Sequence, residues 1–138
     1  MKRIALIPAY EPTSELTSLL EELRRYDFET VLVNDGSSDA CRAVFSQAAR
    51  ASCVLQYAIN QGKGFALKTG LEFIRDNYQK DSIIVTMDAD GQHLLKDAAR
   101  ICEAACQNQG ALILGSRHFA EGVPLRSRTG NRITSALF

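Results

Sequence analysis

The sequence predicts an α/β domain built on a mostly parallel sheet with helices on both faces. Three observations carry that expectation. Short β-rich runs alternate with stretches of helical period along the whole chain. The first run is continuously apolar, as a strand covered on both faces should be. Each run also ends in a polar or glycine-bearing cluster, the signature of a strand-to-helix loop.

Taken in order, residues 4–7 (Ile-Ala-Leu-Ile) form the first strand, closed by Pro8. From residue 13 the period changes: Leu16, Leu19, Leu20 and Leu23 make one stripe of an amphipathic helix. Residues 30–33 give a second strand, broken by Asn34-Asp35-Gly36-Ser37-Ser38-Asp39, a dense run of turn and capping residues. A helix to about residue 50 turns Val44, Phe45 and Ala48 inward, and residues 53–57 are a weaker third strand. The loop Asn60-Gln61-Gly62-Lys63-Gly64 leads into a helix whose inner stripe reads Leu67, Leu71, Ile74 and Tyr78. Residues 83–87 carry the strongest strand signal and end at Asp88-Ala89-Asp90-Gly91. A helix on Leu94, Leu95, Ala98, Ile101 and Ala105 follows, then a fifth strand at residues 112–114 ending in Gly115-Ser116-Arg117.

With 138 residues, the chain is sized for one domain with a single core. Hydrophobic residues at 46% and charged residues at 23% exclude a disordered tail or a collagen-like repeat. Basic and acidic side chains balance at 16 each, so a general nucleic-acid binder is not expected and any anion site must be built locally. Four cysteines without a CxxC pair read as reduced thiols in a cytoplasmic protein, and Cys102 and Cys106 as residues packing on the sheet. No stretch of 18 consecutive apolar residues occurs, so a membrane would be reached from the aqueous side.

Right-handed crossovers bring every strand-to-helix loop to one edge of the sheet, where ligands of open α/β sheets bind. There Asp88 and Asp90, one residue apart after the most apolar strand, can address one cation. Oxygen-only ligation suits Mg²⁺ or Mn²⁺ with positions left for phosphate. The same residues also read as a turn that caps the next helix. Asp35 reads both as an acceptor for a nucleobase or ribose and as part of a turn. Lys63 is either a charge beside a diphosphate or a solvated lysine. GxxxxGK[ST] and GxGxxG are both absent, which removes support for P-loop hydrolysis and NAD binding. His93 and His118 lack zinc spacing. Arg117, Arg126, Arg128 and Arg132 make a local positive excess suited either to solvent or to an anionic substrate.

The ordered set Ile7-Pro8-Ala9-Tyr10-Glu11, Asn34-Asp35-Gly36-Ser37-Ser38-Asp39, Asn60-Gln61-Gly62-Lys63-Gly64, Met87-Asp88-Ala89-Asp90-Gly91-Gln92-His93 and Gly115-Ser116-Arg117 resembles the family 2 glycosyltransferases. The resemblance is to their dolichyl-phosphate mannosyltransferase and bactoprenol glucosyltransferase branch. It implies a Rossmann-like GT-A fold, the nucleotide-diphospho-sugar transferase fold, as a single catalytic domain over residues 1–138. That region of the family continues beyond the position of Phe138, so the chain is expected to be truncated there. By the resemblance, Pro8, Ala9, Tyr10, Glu11 and Asp35 line the nucleotide pocket, with Gln61, Lys63 and Ala89 also on the donor. Asp88, Asp90 and Gln92 hold Mg²⁺ or Mn²⁺ on the diphosphate. Arg117 and Arg128 face the phosphate of a lipid-linked acceptor, and Asp90 and Arg117 carry the catalytic roles. The implied activity is inverting transfer of a sugar from a nucleoside-diphosphate sugar, with a polyprenyl phosphate acceptor at the inner membrane face. The alternatives are a nucleotide-sugar-binding fragment without turnover and a sugar-phosphate nucleotidylyltransferase. The latter normally carries a glycine-rich basic loop after the first strand, which Pro8-Ala9-Tyr10-Glu11 lacks.

Overall fold

The computed structural model describes residues 1–91 and 95–115. Four parallel strands, β1 (Arg3–Ala9), β2 (Phe28–Asp35), β3 (Cys53–Tyr57) and β4 (Ile83–Thr86), lie in the order β3-β2-β1-β4. Between them run α1 (Glu15–Arg25), a 3₁₀ turn at Asp39–Cys41, α2 (Arg42–Ala48) and α3 (Lys63–Asn77), and α4 (Leu95–Gln107) follows β4. This is the α/β architecture the sequence predicts.

Side chains alternate across the sheet, so the apolar run of β1 feeds two cores at once. Ala5, Ile7 and Ala9 join Leu32, Val85 and Met87 under α1, α2 and α4. Ile4 and Leu6 join Val31 and Val33 on the other face, beneath α3. The predicted stripe of α1 is the buried one: Leu16, Leu19, Leu20 and Leu23 all face the sheet.

In α3 the fully buried positions are Ala66, Gly70 and Ile74; Leu67 and Tyr78 of the expected stripe pack partly buried against the same core, and Leu71, 43% exposed, does not. Small residues let the helix lie close against β1. A Cβ on Gly70 would stand 2.2 Å from Leu6 Cδ1. Overpacking of a buried contact typically costs 1–3 kcal/mol, so Gly70→Val is expected to destabilise the fold by about 2 kcal/mol, read from the midpoint of urea unfolding.

Residues 112–114 are not a strand. A strand persists only when its backbone groups pair, and none of the described residues pairs with this segment; Leu112 is 85% exposed and Leu114 80%. The cysteines of α4 also divide: Cys102 is buried in the core, whereas Cys106 is exposed with its Sγ 3.5 Å from Met1 Sδ. All four cysteines are free thiols. Among the described residues no helix is long and apolar enough to cross a membrane.

The strand order fixes where a ligand can sit. Successive crossovers carry the chain from β1 to β2 to β3, and the next one returns it past both to the far side of β1. The crevice at the carboxyl ends of β1 and β4 is thus the point where the winding direction reverses, the position at which open α/β sheets place their ligands.

Candidate active site

A cavity of about 450 Å³ opens at that crevice. Residues 8–13, the end of β1 and the segment after it, form one wall, and Asp88, Ala89 and Asp90 after β4 form the opposite one. Asp35 at the end of β2, Asn60 and Gly62 ahead of α3 and Lys63 at its start close the remaining side. Pro8, Ala9, Tyr10, Glu11, Asp35, Lys63, Asp88, Ala89 and Asp90 therefore share one cavity. Gln61 acts through its backbone behind that surface, as described next. Gln92, Arg117 and Arg128 lie outside the described residues.

Asp35 is 3% exposed and its carboxylate is held by three donors. Its Oδ1 accepts from the Tyr57 hydroxyl at 2.7 Å and from the Gln61 backbone N–H at 2.8 Å, and its Oδ2 accepts from Asn60 Nδ2 at 3.1 Å. The β2–β3 register pairs Asp35 with Tyr57, which sets the two side chains beside each other. Burial, reinforced by the bond to Asp35, pushes the Tyr57 hydroxyl far above its ordinary range, so it remains a donor. A charged, buried acceptor held in this way presents a fixed carboxylate edge to the cavity. Tyr57 is the member of this group that motif reading misses, and Asn60 sits in a motif loop without an assigned role. The sequence carries no signal for the Tyr57 contact, since Asp35 falls beyond the expected strand at 30–33 while Tyr57 ends the one at 53–57; the observed register alone pairs them.

Gly36 makes the loop geometry possible. Its φ is +67°, and a Cβ there would stand 2.3 Å from the Asn60 backbone nitrogen, so the loop after β2 and the loop before α3 touch backbone to backbone.

A second set of bonds joins the loops after β1 and β2. The Glu11 backbone N–H donates to Ser37 Oγ at 3.0 Å, and the Glu11 carboxylate accepts from the Ser38 N–H, the Ser38 hydroxyl and the Cys41 thiol. Glu11 adopts φ +49°, a left-handed conformation uncommon for a residue with a side chain and sustained here by this latch. The Ser38 bonds lower the Glu11 pKa from its ordinary value. The latch is therefore intact at neutral pH and loosens only as pH falls through that depressed value. Burial, and then the Glu11 carboxylate, raise the pKa of the Cys41 thiol, which makes it a poor nucleophile.

Where the remaining side meets the opposite wall, Lys63 Nζ contacts Asp88 Oδ1 at 2.5 Å. Lys63 is the first residue of α3, preceded by Gly62 at φ +89°. That helix starts without a side-chain cap and with no acidic residue in its first turn. The opening of α3 and the segment after β4 thus meet through a charged pair on the cavity lining.

The sequence matches the family described as Glycosyl transferase family 2 over residues 4–137. The chain belongs to this family. Among its glycosyltransferase relatives, the UDP-N-acetylglucosamine–dolichyl-phosphate N-acetylglucosaminyltransferase of Methanococcus voltae is 25% identical over 91% of the chain and 57% of its own length. The undecaprenyl-phosphate 4-deoxy-4-formamido-L-arabinose transferase of Edwardsiella ictaluri is 31% identical over 80% of the chain and 35% of its own length. Among solved structures, S. aureus TarS superposes with a TM-score of 0.55 at 24% identity, covering 77% of this chain and 20% of TarS, a likeness of fold. The chain spans about half the length of the first curated relatives it matches. The segments that line the cavity, at the ends of β1 and β2, after β4 and at the start of α3, all lie within the matched range.

Proposed function

We propose that this chain binds a nucleoside-diphosphate sugar in the crevice between β1 and β4 and belongs to an inverting glycosyltransferase that passes the sugar to a polyprenyl phosphate. The observation that carries the reading is the placement of Asp88 and Asp90 in the same cavity as the buried, donor-held Asp35. A nucleoside offers N–H and hydroxyl groups to one end of such a cavity, and its diphosphate offers charge to the other.

The donor set fits a hard divalent cation. Asp88 and Asp90 supply oxygen ligands only, and among the described residues no group of three or more His, Cys, Asp or Glu gathers at one point. Two carboxylates on an open cavity suit Mg²⁺ or Mn²⁺, which complete their shells with water and phosphate oxygens, and do not suit a closed zinc site. Such a cation, when bound, supplies neutralising charge to the departing diphosphate. The chain's own part is to position: Asp35 orients the nucleoside, the Glu11 latch shapes the pocket around it, and Lys63 lies within the cavity as a further positive charge.

Relatives named for dolichyl and undecaprenyl phosphate support an acceptor of that chemistry, which would bring the protein to a membrane surface. A phosphate monoester is already ionised at neutral pH, its second pKa lying near ~6, so its attack needs no general base. Arg117 and Arg128 are the proposed contacts for that phosphate.

The test is calorimetry of UDP and GDP binding with and without Mn²⁺. Asp90→Asn is expected to weaken the Mn²⁺-dependent component by on the order of a hundredfold, at least the loss seen when groups that merely orient metal ligands are removed. An unchanged folded-state melting curve would accompany it. Equal Mn²⁺-dependent affinity in Asp90→Asn and the unaltered protein would overturn the assignment.

A further inference from the structure

The ion pair between Lys63 and Asp88 joins two groups 25 residues apart in sequence, at the floor of the cavity. Helix geometry makes its location unusual. A lysine at the first position of a helix is repelled by the positive end of the macrodipole, and ordinary sequences favour acidic residues there. In α3 that position is Lys63, the first turn holds no acid, and the compensating carboxylate comes from a different element, the segment after β4. The pair is also shallow. The Lys63 side chain is 62% exposed and that of Asp88 42%. An exposed pair of this kind is screened by water and contributes little to stability, so separating its partners is easy. The flanking glycines add room, since a Cβ at Gly62 or Gly64 would meet nothing within 4 Å.

We propose, resting on the cation and diphosphate reading above, that Lys63 is a placeholder cation: its ammonium occupies Asp88 while the site holds no metal, yields that carboxylate when a divalent ion binds, and then serves the diphosphate. Lys63 and a metal ion are thus competitors for Asp88, whereas Lys63 and the diphosphate are partners. A lysine is suited to the part because its ammonium is a compact point charge on a flexible four-carbon stem.

The competition gives the two affinities opposite responses to one substitution. Mn²⁺ is titrated into the protein and free Mn²⁺ is followed by its electron paramagnetic resonance signal, first without nucleotide and then with UDP or GDP. Lys63→Met is expected to tighten Mn²⁺ binding without nucleotide about two- to fivefold, the range an exposed ion pair can contribute. The same variant is expected to weaken nucleoside-diphosphate binding in saturating Mn²⁺, while Lys63→Arg stays near the unaltered protein in that second measurement. Unchanged Mn²⁺ affinity in Lys63→Met, or a loss of affinity in both measurements, overturns the proposal, as does tighter Mn²⁺ binding with undiminished nucleotide affinity. Asp90→Asn separates the two levels of the argument. If it binds Mn²⁺ as the unaltered protein does, the cation reading itself fails; if it loses Mn²⁺ while Lys63→Met does not respond, only the placeholder role fails.

Discussion

Asp35→Ala is expected to lower the free energy of unfolding by about 3 kcal/mol and to abolish nucleoside-diphosphate binding. A hydrogen bond to a charged group contributes about 1.5–3 kcal/mol, and this substitution strands three donors at once. The full sum is not reached, because Asn60 and Gln61 are exposed and can turn to water. The Tyr57 hydroxyl is the group with the least freedom to rehydrate, since its ring packs edge-on against Phe65 with centroids 5.4 Å apart. Asp35→Asn separates the structural role from the binding role. Its carbonyl can replace Oδ1 toward Tyr57 and Gln61, while its amide nitrogen would face the Asn60 donor and lose that bond, at a cost of about 1 kcal/mol, and the carboxylate edge presented to the cavity is gone. Urea unfolding and calorimetry on both variants check this. Ordinary nucleotide affinity in Asp35→Asn would reduce Asp35 to a fold-holding residue.

Gly36→Ala is the second large effect, with an expected loss of about 3 kcal/mol. A left-handed φ costs a residue bearing a Cβ about 1 kcal/mol. The new methyl must also displace backbone, since the atoms it meets are the Asn60 nitrogen at 2.3 Å and the Ile59 carbonyl carbon at 2.5 Å. Parting those loops moves Asn60 and Gln61 away from Asp35, so nucleotide binding falls together with stability. Gly64→Ala is the matched control. It lies inside α3 with nothing within 4 Å of a Cβ, and the gain in helix propensity is expected to stabilise the protein by up to ~1 kcal/mol. The same chemical change thus acts with opposite sign at two glycines of one site, and thermal melts of the two variants read that difference directly.

Much of this architecture is legible in the sequence, and the reasons differ by element. The strand at β1 is plain because burial on both faces leaves no polar position in residues 4–7. The α1 stripe is plain because four leucines repeat at helical spacing. The face of α3 is legible only in part: Ile74, Leu67 and Tyr78 mark it, but its closest contacts are alanine and glycine, which a count of large apolar side chains passes over, and Leu71 lies off it. The apolar residues 112–114 read as a strand because hydrophobicity does not report whether a neighbour is there to pair.

The candidate site divides in the same way. Its motif residues are visible because glycines and acids cluster after apolar runs, and parallel topology gathers those clusters without any knowledge of distances. What joins them is not visible. The hold of Tyr57 on Asp35 depends on strand register, the Glu11 latch depends on a left-handed backbone angle, and the Lys63–Asp88 pair joins residues 25 apart in sequence.

The order of strands also bears on how the molecule assembles. Pairing β1 with β2 and β2 with β3 needs only neighbours along the chain, whereas β1 and β4 join residue 3 to residue 83. Closing that long loop carries the greatest entropic cost and the slowest search. One wall of the crevice is therefore absent until the most distant strand docks, which makes competence to receive a ligand a late event in folding.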